Sequence, residues 1–188
     1  MNLAFDIFQG IGIAAAVGLR PFLPALAVGA LAAGDVQINF DHTDYSFLEH
    51  APFLIGMVVG VAVVALLERR ERRSAEAVVA VAALALGALL LAGTLAQDHH
   101  RAWPGWIGGV ACALLALAAT RPLLERVRGR LEDTAALPLY VEVLALLVAV
   151  LSVVAPPVGV IALAGFVWLL FAGRRRGDEK YAGLRILR

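Results

Sequence analysis

Hydrophobic residues in this chain come in long unbroken runs and do not alternate with polar ones. Five runs stand out: Ala51 to Leu67, Ala77 to Ala96, Trp103 to Thr120, Leu137 to Ala155 and Pro157 to Gly173. Each is close to the roughly 20 apolar residues a helix needs to cross a hydrocarbon layer of about 30 Å. No run has the period of two that a membrane barrel requires. A bilayer offers no partner to an unpaired backbone group, so the runs predict transmembrane helices.

The first apolar stretch does not fit this rule. Leu3 to Ala33 is 31 residues long, and as one straight helix it would reach about 46 Å, well beyond the hydrocarbon layer. Gly18, Pro21 and Pro24 fall near its middle. The two prolines remove two backbone donors and push their predecessors out of helical geometry. The stretch therefore reads as a broken segment. It either crosses once with a kink or dips in and returns as a re-entrant hairpin with Arg20 near its tip. The fold class is all-α: a polytopic transmembrane bundle of about six membrane segments, forming one domain over residues 1–173, with the first segment at 3–33.

The polar connections set an orientation. Arg69, Arg70, Arg72 and Arg73 share one loop, and Arg121, Arg126, Arg128 and Arg130 share another. The end of the chain, residues 174–188, carries Arg174, Arg175, Arg176, Lys180, Arg185 and Arg188. These three segments hold fourteen of the sixteen basic residues and alternate correctly with the five clear spans. Basic loops stay on the cytoplasmic side, which predicts a cytoplasmic C-terminus in a bacterial inner membrane. The Gly34 to His50 loop, with Asp35, Asp41, Asp44, Glu49 and no basic residue, then lies outside. Residues 121–133 place Leu123, Leu124, Val127 and Leu131 on one face of a helix amid charges, which predicts an amphipathic helix on the cytoplasmic surface. The basic tail suits anionic headgroups.

Composition agrees with the pattern. Of 188 residues, 61% are hydrophobic and 16% charged, against about 25% charged in a soluble domain. The net charge of +1 excludes a broad basic surface for nucleic acid. Its one cysteine, Cys112, excludes an intrachain disulfide and a multi-thiolate metal site. The first basic residue is Arg20, deep in an apolar segment, so the N-terminus does not read as a removable signal peptide.

Charge inside an apolar segment is where chemistry is to be sought, because burying it is costly. Three residues qualify: Arg20 at the break, Glu142 inside the 137–155 run, and Glu68 at the end of the 51–67 run. Arg20 is permanently charged and offers five donors. It can pair with Glu142 or Glu68, bind carbonyls freed at the break, or hold a ligand. Glu142 is either its counter-ion or a proton-exchanging group. Gly10, Gly12 and Gly18 permit close approach of a helix or ligand, and Gly56 and Gly60 form a small-xxx-small pair suited to packing within the chain or between copies. Asp98, His99 and His100 are weak metal candidates, since their spacing matches no specific motif. No phosphate loop, nucleophile elbow or metalloprotease helix is present, so no cofactor and no enzymatic reaction is indicated.

A faint duplication pairs Arg20-Pro21-Phe22-Leu23 with Arg121-Pro122-Leu123-Leu124, each following an alanine-rich run. Inverted halves of this kind occur in transporters.

The run from Gly10 to Pro24, with Gly10, Gly12, Gly18, Arg20 and Pro24, resembles the opening of a family of small bacterial membrane proteins, domain of unknown function 4126. The resemblance continues at Leu66-Leu67-Glu68 and around Glu142. It departs at Arg69 to Arg73, where the family has a loop containing Pro and Asp. It implies a polytopic membrane protein and marks Arg20, Pro24, Glu68 and Glu142 as positions to test, without supplying an activity. The residues favour a small transporter-like or channel-like protein with a polar site at the break. A membrane scaffold or assembly partner is the alternative, and a metal-dependent enzyme on the outer face is a third.

Overall fold

The computed structural model describes residues 3–97, 101–128 and 137–182, with the side chains of 72, 128 and 173–182 left aside. It is a bundle of α-helices: α1 (Leu3–Leu19), α2 (Phe22–Ala33), α3 (Ala51–Arg70), α4 (Arg72–Ala96), α5 (Trp103–Arg128), α6 (Leu137–Val154) and α7 (Pro157–Ala182). A short 3-10 turn, Ser46–Glu49, precedes α3. Four helices are long and apolar enough to cross a membrane: Ala51–Arg70, Arg73–Ala96, Trp103–Val127 and Leu137–Val154. The apolar helices Leu3–Leu19, Phe22–Ala33 and Pro157–Ala172 are shorter. The protein is thus a polytopic, membrane-spanning helix bundle.

α1 is the axis of the bundle. It is packed by α4, α5, α6 and α7, and Ile13, Ala14, Ala15, Ala16 and Val17 have no exposed surface. Glycine makes this enclosure possible. A Cβ on Gly12 would stand 2.5 Å from Gly159 Cα of α7, and one on Gly18 would stand 2.6 Å from the Ala113 carbonyl oxygen of α5. Helices that meet backbone to backbone in lipid gain dispersion contacts that larger side chains would prevent. Gly18, expected at the break, lies in the last turn of α1 and faces α5.

Arg20 and Pro21 separate α1 from α2. An N–H at position 21 would bond the Val17 carbonyl and one at 24 the Arg20 carbonyl, and proline removes both donors. The Gln9 side chain donates to the Gln37 carbonyl at 3.2 Å. The start of α1 and the chain just beyond α2 therefore lie at the same end of the bundle, with Arg20 at the other.

At the second Arg-Pro pair the chain does not break: Pro122 lies inside α5, which runs on to Arg128. Residues 121–128, expected as part of a separate surface helix, are thus the end of α5, and 129–133 lie outside the described residues. α7 likewise continues past 173 to Ala182.

α3 is the least buried of the four long helices. It packs on α2 and α4 and leaves Ile55, Val58, Val59, Val63 and Leu66 exposed, as a lipid-facing helix does. Gly60 receives the Phe22 ring, whereas Gly56 has nothing within 4 Å.

Candidate functional site

The end of the bundle that holds Arg69, Arg70 and Arg73 also holds the three charged residues singled out in the sequence. Arg20 lies between the end of α1 at Leu19 and the start of α2 at Phe22, at a turn and not within a helix. α3 brings Glu68 to it from its last turns, and α6 brings Glu142 from its second turn. Arg20 Nη1 donates to Glu68 Oε1 at 2.6 Å. Arg20 Nε lies 3.6 Å from Glu142 Oε1, an ion pair without the distance of a hydrogen bond. Arg20 is buried, at 8% of its full exposure, while the Glu68 and Glu142 side chains retain 32% and 22%. One guanidinium thus faces two carboxyl groups from two other helices.

The stoichiometry matters. When both carboxyl groups are ionised, the cluster carries one negative charge that Arg20 does not balance. Glu142 Oε2 is buried and has no hydrogen-bond partner among the described residues. A buried acceptor without a donor is costly and is normally filled by water, a proton or a ligand.

Two cavities meet at this cluster, and Arg20 and Glu68 line both. The smaller, about 90 Å³, lies towards α4 and α5 and is edged by Glu76, Thr120, Arg121 and Glu125. Arg121 Nη2 donates to the Glu76 carbonyl there at 3.5 Å. The larger, about 460 Å³, lies between α3 and α6 and is walled by Phe22, Val61, Val64, Pro138 and Leu139, with Arg69 and Glu142 also on its lining.

A second polar cluster closes the opposite end of α1. Asp6 and Gln9 are fully buried. Gln9 Nε2 donates to the Val153 carbonyl at 3.2 Å. Gln97 Nε2 donates to Asp6 Oδ1 at 3.1 Å and approaches Gln9 Oε1 at 3.4 Å. Sequence reasoning did not single out Asp6, Gln9 or Gln97. The signal available was the Asp6-to-Gln9 spacing, which puts two polar side chains on one helix face. Between this cluster and Arg20, the apolar residues Ile13 to Val17 of α1 are fully buried.

The outer-loop candidates do not converge. Asp98, His99 and His100 lie outside the described residues. Among the described residues no three His, Cys, Asp or Glu side chains are grouped to hold a metal. In the acidic loop Glu49 Oε2 accepts from the Phe40 amide at 3.3 Å. Burial, and next a hydrogen bond with Asp41, push the Glu49 carboxyl above its ordinary value. Tyr45 accepts a 2.9 Å hydrogen bond from the Trp106 indole, which pins this loop to α5.

Comparison with protein families finds a match to the domain of unknown function DUF4126 over residues 7–176. No curated protein and no solved structure matches this chain. The matched region includes Arg20, Glu68 and Glu142 and both cavities they line.

Proposed function

For this chain, which belongs to the DUF4126 family, we propose a small transporter-like membrane protein whose working site is the intramembrane cluster of Arg20, Glu68 and Glu142. The observation that carries the reading is the unbalanced pairing: two carboxyl groups against one guanidinium, with Glu142 Oε2 unpartnered and cavities on two sides. Such a cluster is completed by a proton or a cationic group from outside, and intramembrane ionisable residues of this kind mark transport paths.

The placement of the first segment supports the same reading. We read α1 and α2 as a proline-broken, re-entrant hairpin with Arg20 and Pro21 at its tip, because Gln9 meets Gln37 while Arg20 meets Glu68. Irregular backbone at membrane depth occurs where protein or a cavity surrounds it. The arginine distribution orients this tip, and the C-terminus, to the cytoplasmic side of a bacterial inner membrane.

The test is ion flux in liposomes that contain the protein and a trapped pH- or cation-sensitive dye. Wild type is expected to carry a flux that Arg20→Gln and Glu142→Gln each abolish. Unchanged flux with both positions neutral overturns the reading. A membrane scaffold is the second reading, favoured by the pairing of Arg20 with protein carboxyl groups on two sides and by the exposed apolar face of α3 around Gly56. It predicts chain-to-chain crosslinks through α3 and no flux.

A further inference from the structure

The two cavities at Arg20 differ in what they can admit. The one edged by Glu76, Arg121 and Glu125 is bordered by charge, as an approach from water is. The one between α3 and α6 has apolar walls, and its rim includes Ala65 and Leu139, which are exposed on the bundle's lateral surface. This second opening follows from the chain's own geometry. α3 and α6 both pack on α2, and α2 begins only at Phe22. Past that residue, towards the Arg-rich end, α2 no longer fills the space between them. The cavity therefore opens sideways, where hydrocarbon lies against a membrane bundle.

We propose that the cavity between α3 and α6 binds a membrane phospholipid with a primary-amine headgroup, its ammonium on Glu142 and Glu68, its phosphate towards Arg69 and its chains passing out by Leu139. This rests on the functional reading above in taking the Arg20 cluster as the working site, and it names the class of ligand. Charge complementarity selects the head: Glu68 and Glu142 share the one guanidinium of Arg20, Glu142 Oε2 has no donor, and Arg69 stands on the same lining, so the cavity offers an anionic and a cationic partner to a zwitterionic head. A primary ammonium has three such donors and a quaternary one has none. An anionic head without an amine brings like charge to the two carboxyl groups and is disfavoured. Arg69, on the same lining, offers the guanidinium that a phosphate pairs with. The apolar walls of Phe22, Val61, Val64 and Leu139 match acyl chain and not a soluble amine.

The full chain, reconstituted in nanodiscs of phosphatidylethanolamine, phosphatidylglycerol and phosphatidylcholine in equal parts, is released for native mass spectrometry and its retained lipid counted. Wild type is expected to keep phosphatidylethanolamine over each of the others by about tenfold, the scale of one charge-assisted hydrogen bond. Glu142→Gln is expected to bring the three lipids to near parity. Leu139→Trp, at an exposed rim position that tolerates a larger side chain, is expected to lower all retention while leaving the thermal midpoint unchanged, which separates loss of the lipid from loss of the fold. Equal retention of phosphatidylethanolamine and phosphatidylcholine, preference for phosphatidylglycerol, or an unchanged preference in Glu142→Gln overturns the proposal. So does displacement of the lipid by millimolar free ethanolamine, which would reassign the site to a soluble amine. Flux that depends on Arg20 with no lipid preference would sink this inference and leave the functional reading standing. A lipid preference without flux would do the reverse.

Discussion

The Arg20 guanidinium and the Glu68 carboxylate, 48 residues apart in sequence, meet at 2.6 Å and together separate two cavities. Arg20 is the only member of the cluster that neutralises the others. Its removal leaves Glu68 and Glu142 facing each other with no cation between them. Breaking a buried ion pair from one side is costly, though the partial exposure of both carboxylates moderates the loss. Arg20→Gln is expected to destabilise the protein by roughly 2–3 kcal/mol, seen as a lower thermal midpoint in detergent. Adding Glu142→Gln should recover part of that loss. A double variant less stable than Arg20→Gln alone would show that the carboxyl groups do not repel.

The proposed hairpin makes a topological prediction. In a Cys112→Ser background, single cysteines at the exposed positions Leu3 and Val36 should label from the same side of the membrane, and one at Glu71 from the opposite side. Labelling of Leu3→Cys from the side of Glu71→Cys would mean that the first apolar stretch crosses once.

Glycine packing can be tested by two substitutions of the same kind. Gly12→Ala drives a methyl group onto Ser152 and to within 2.5 Å of Gly159 Cα, and is expected to cost about 1–3 kcal/mol by overpacking. Gly56→Ala meets nothing within 4 Å and should leave the thermal midpoint of the monomer unchanged. A change in migration on native gels with Gly56→Ala would then report association between copies through α3.

The acidic loop should respond to pH through Glu49. Burial raises its carboxyl above the ordinary 4.5 in the folded protein, so the folded loop binds the proton more tightly than the unfolded one. Its contribution to stability is full below about 4.5 and is lost as pH rises through the elevated folded value. Hydrogen exchange at the Thr43 and Ser46 amides, which donate to the Phe40 and Thr43 carbonyls of the loop, is expected to show less protection at neutral pH than at pH 4 after correction for intrinsic rate. Glu49→Gln should flatten that dependence, and a dependence that persists in it would point to another group.

Much of the cluster was legible in the sequence because charge in apolar runs is conspicuous. Arg20, Glu68 and Glu142 were singled out for that reason, and both pairings considered for Arg20 occur together. The central position of α1 was not legible. Helices in lipid are apolar on buried and exposed faces alike, so periodicity carries little information about which helix is enclosed. The cluster of Asp6, Gln9 and Gln97 escaped for a related reason: polar side chains near the end of an apolar run look like interfacial residues until a fold buries them. The second Arg-Pro pair, at Arg121 and Pro122, looked like the first but lies inside a continuous helix. A proline in the sequence does not determine whether surrounding helices support the kink or absorb it.

The enclosure of α1 also bears on how the protein is made. α1 is synthesised before the helices that surround it, and its glycines at 10, 12 and 18 await partners on α4, α6, α7 and α5. Until α7 emerges, the surface of α1 around Gly12 has no Gly159 to meet and must lie against lipid or a chaperone. The packing around α1 can therefore be completed only after synthesis of α7, and a chain halted after α6 would present its future centre as an outer surface.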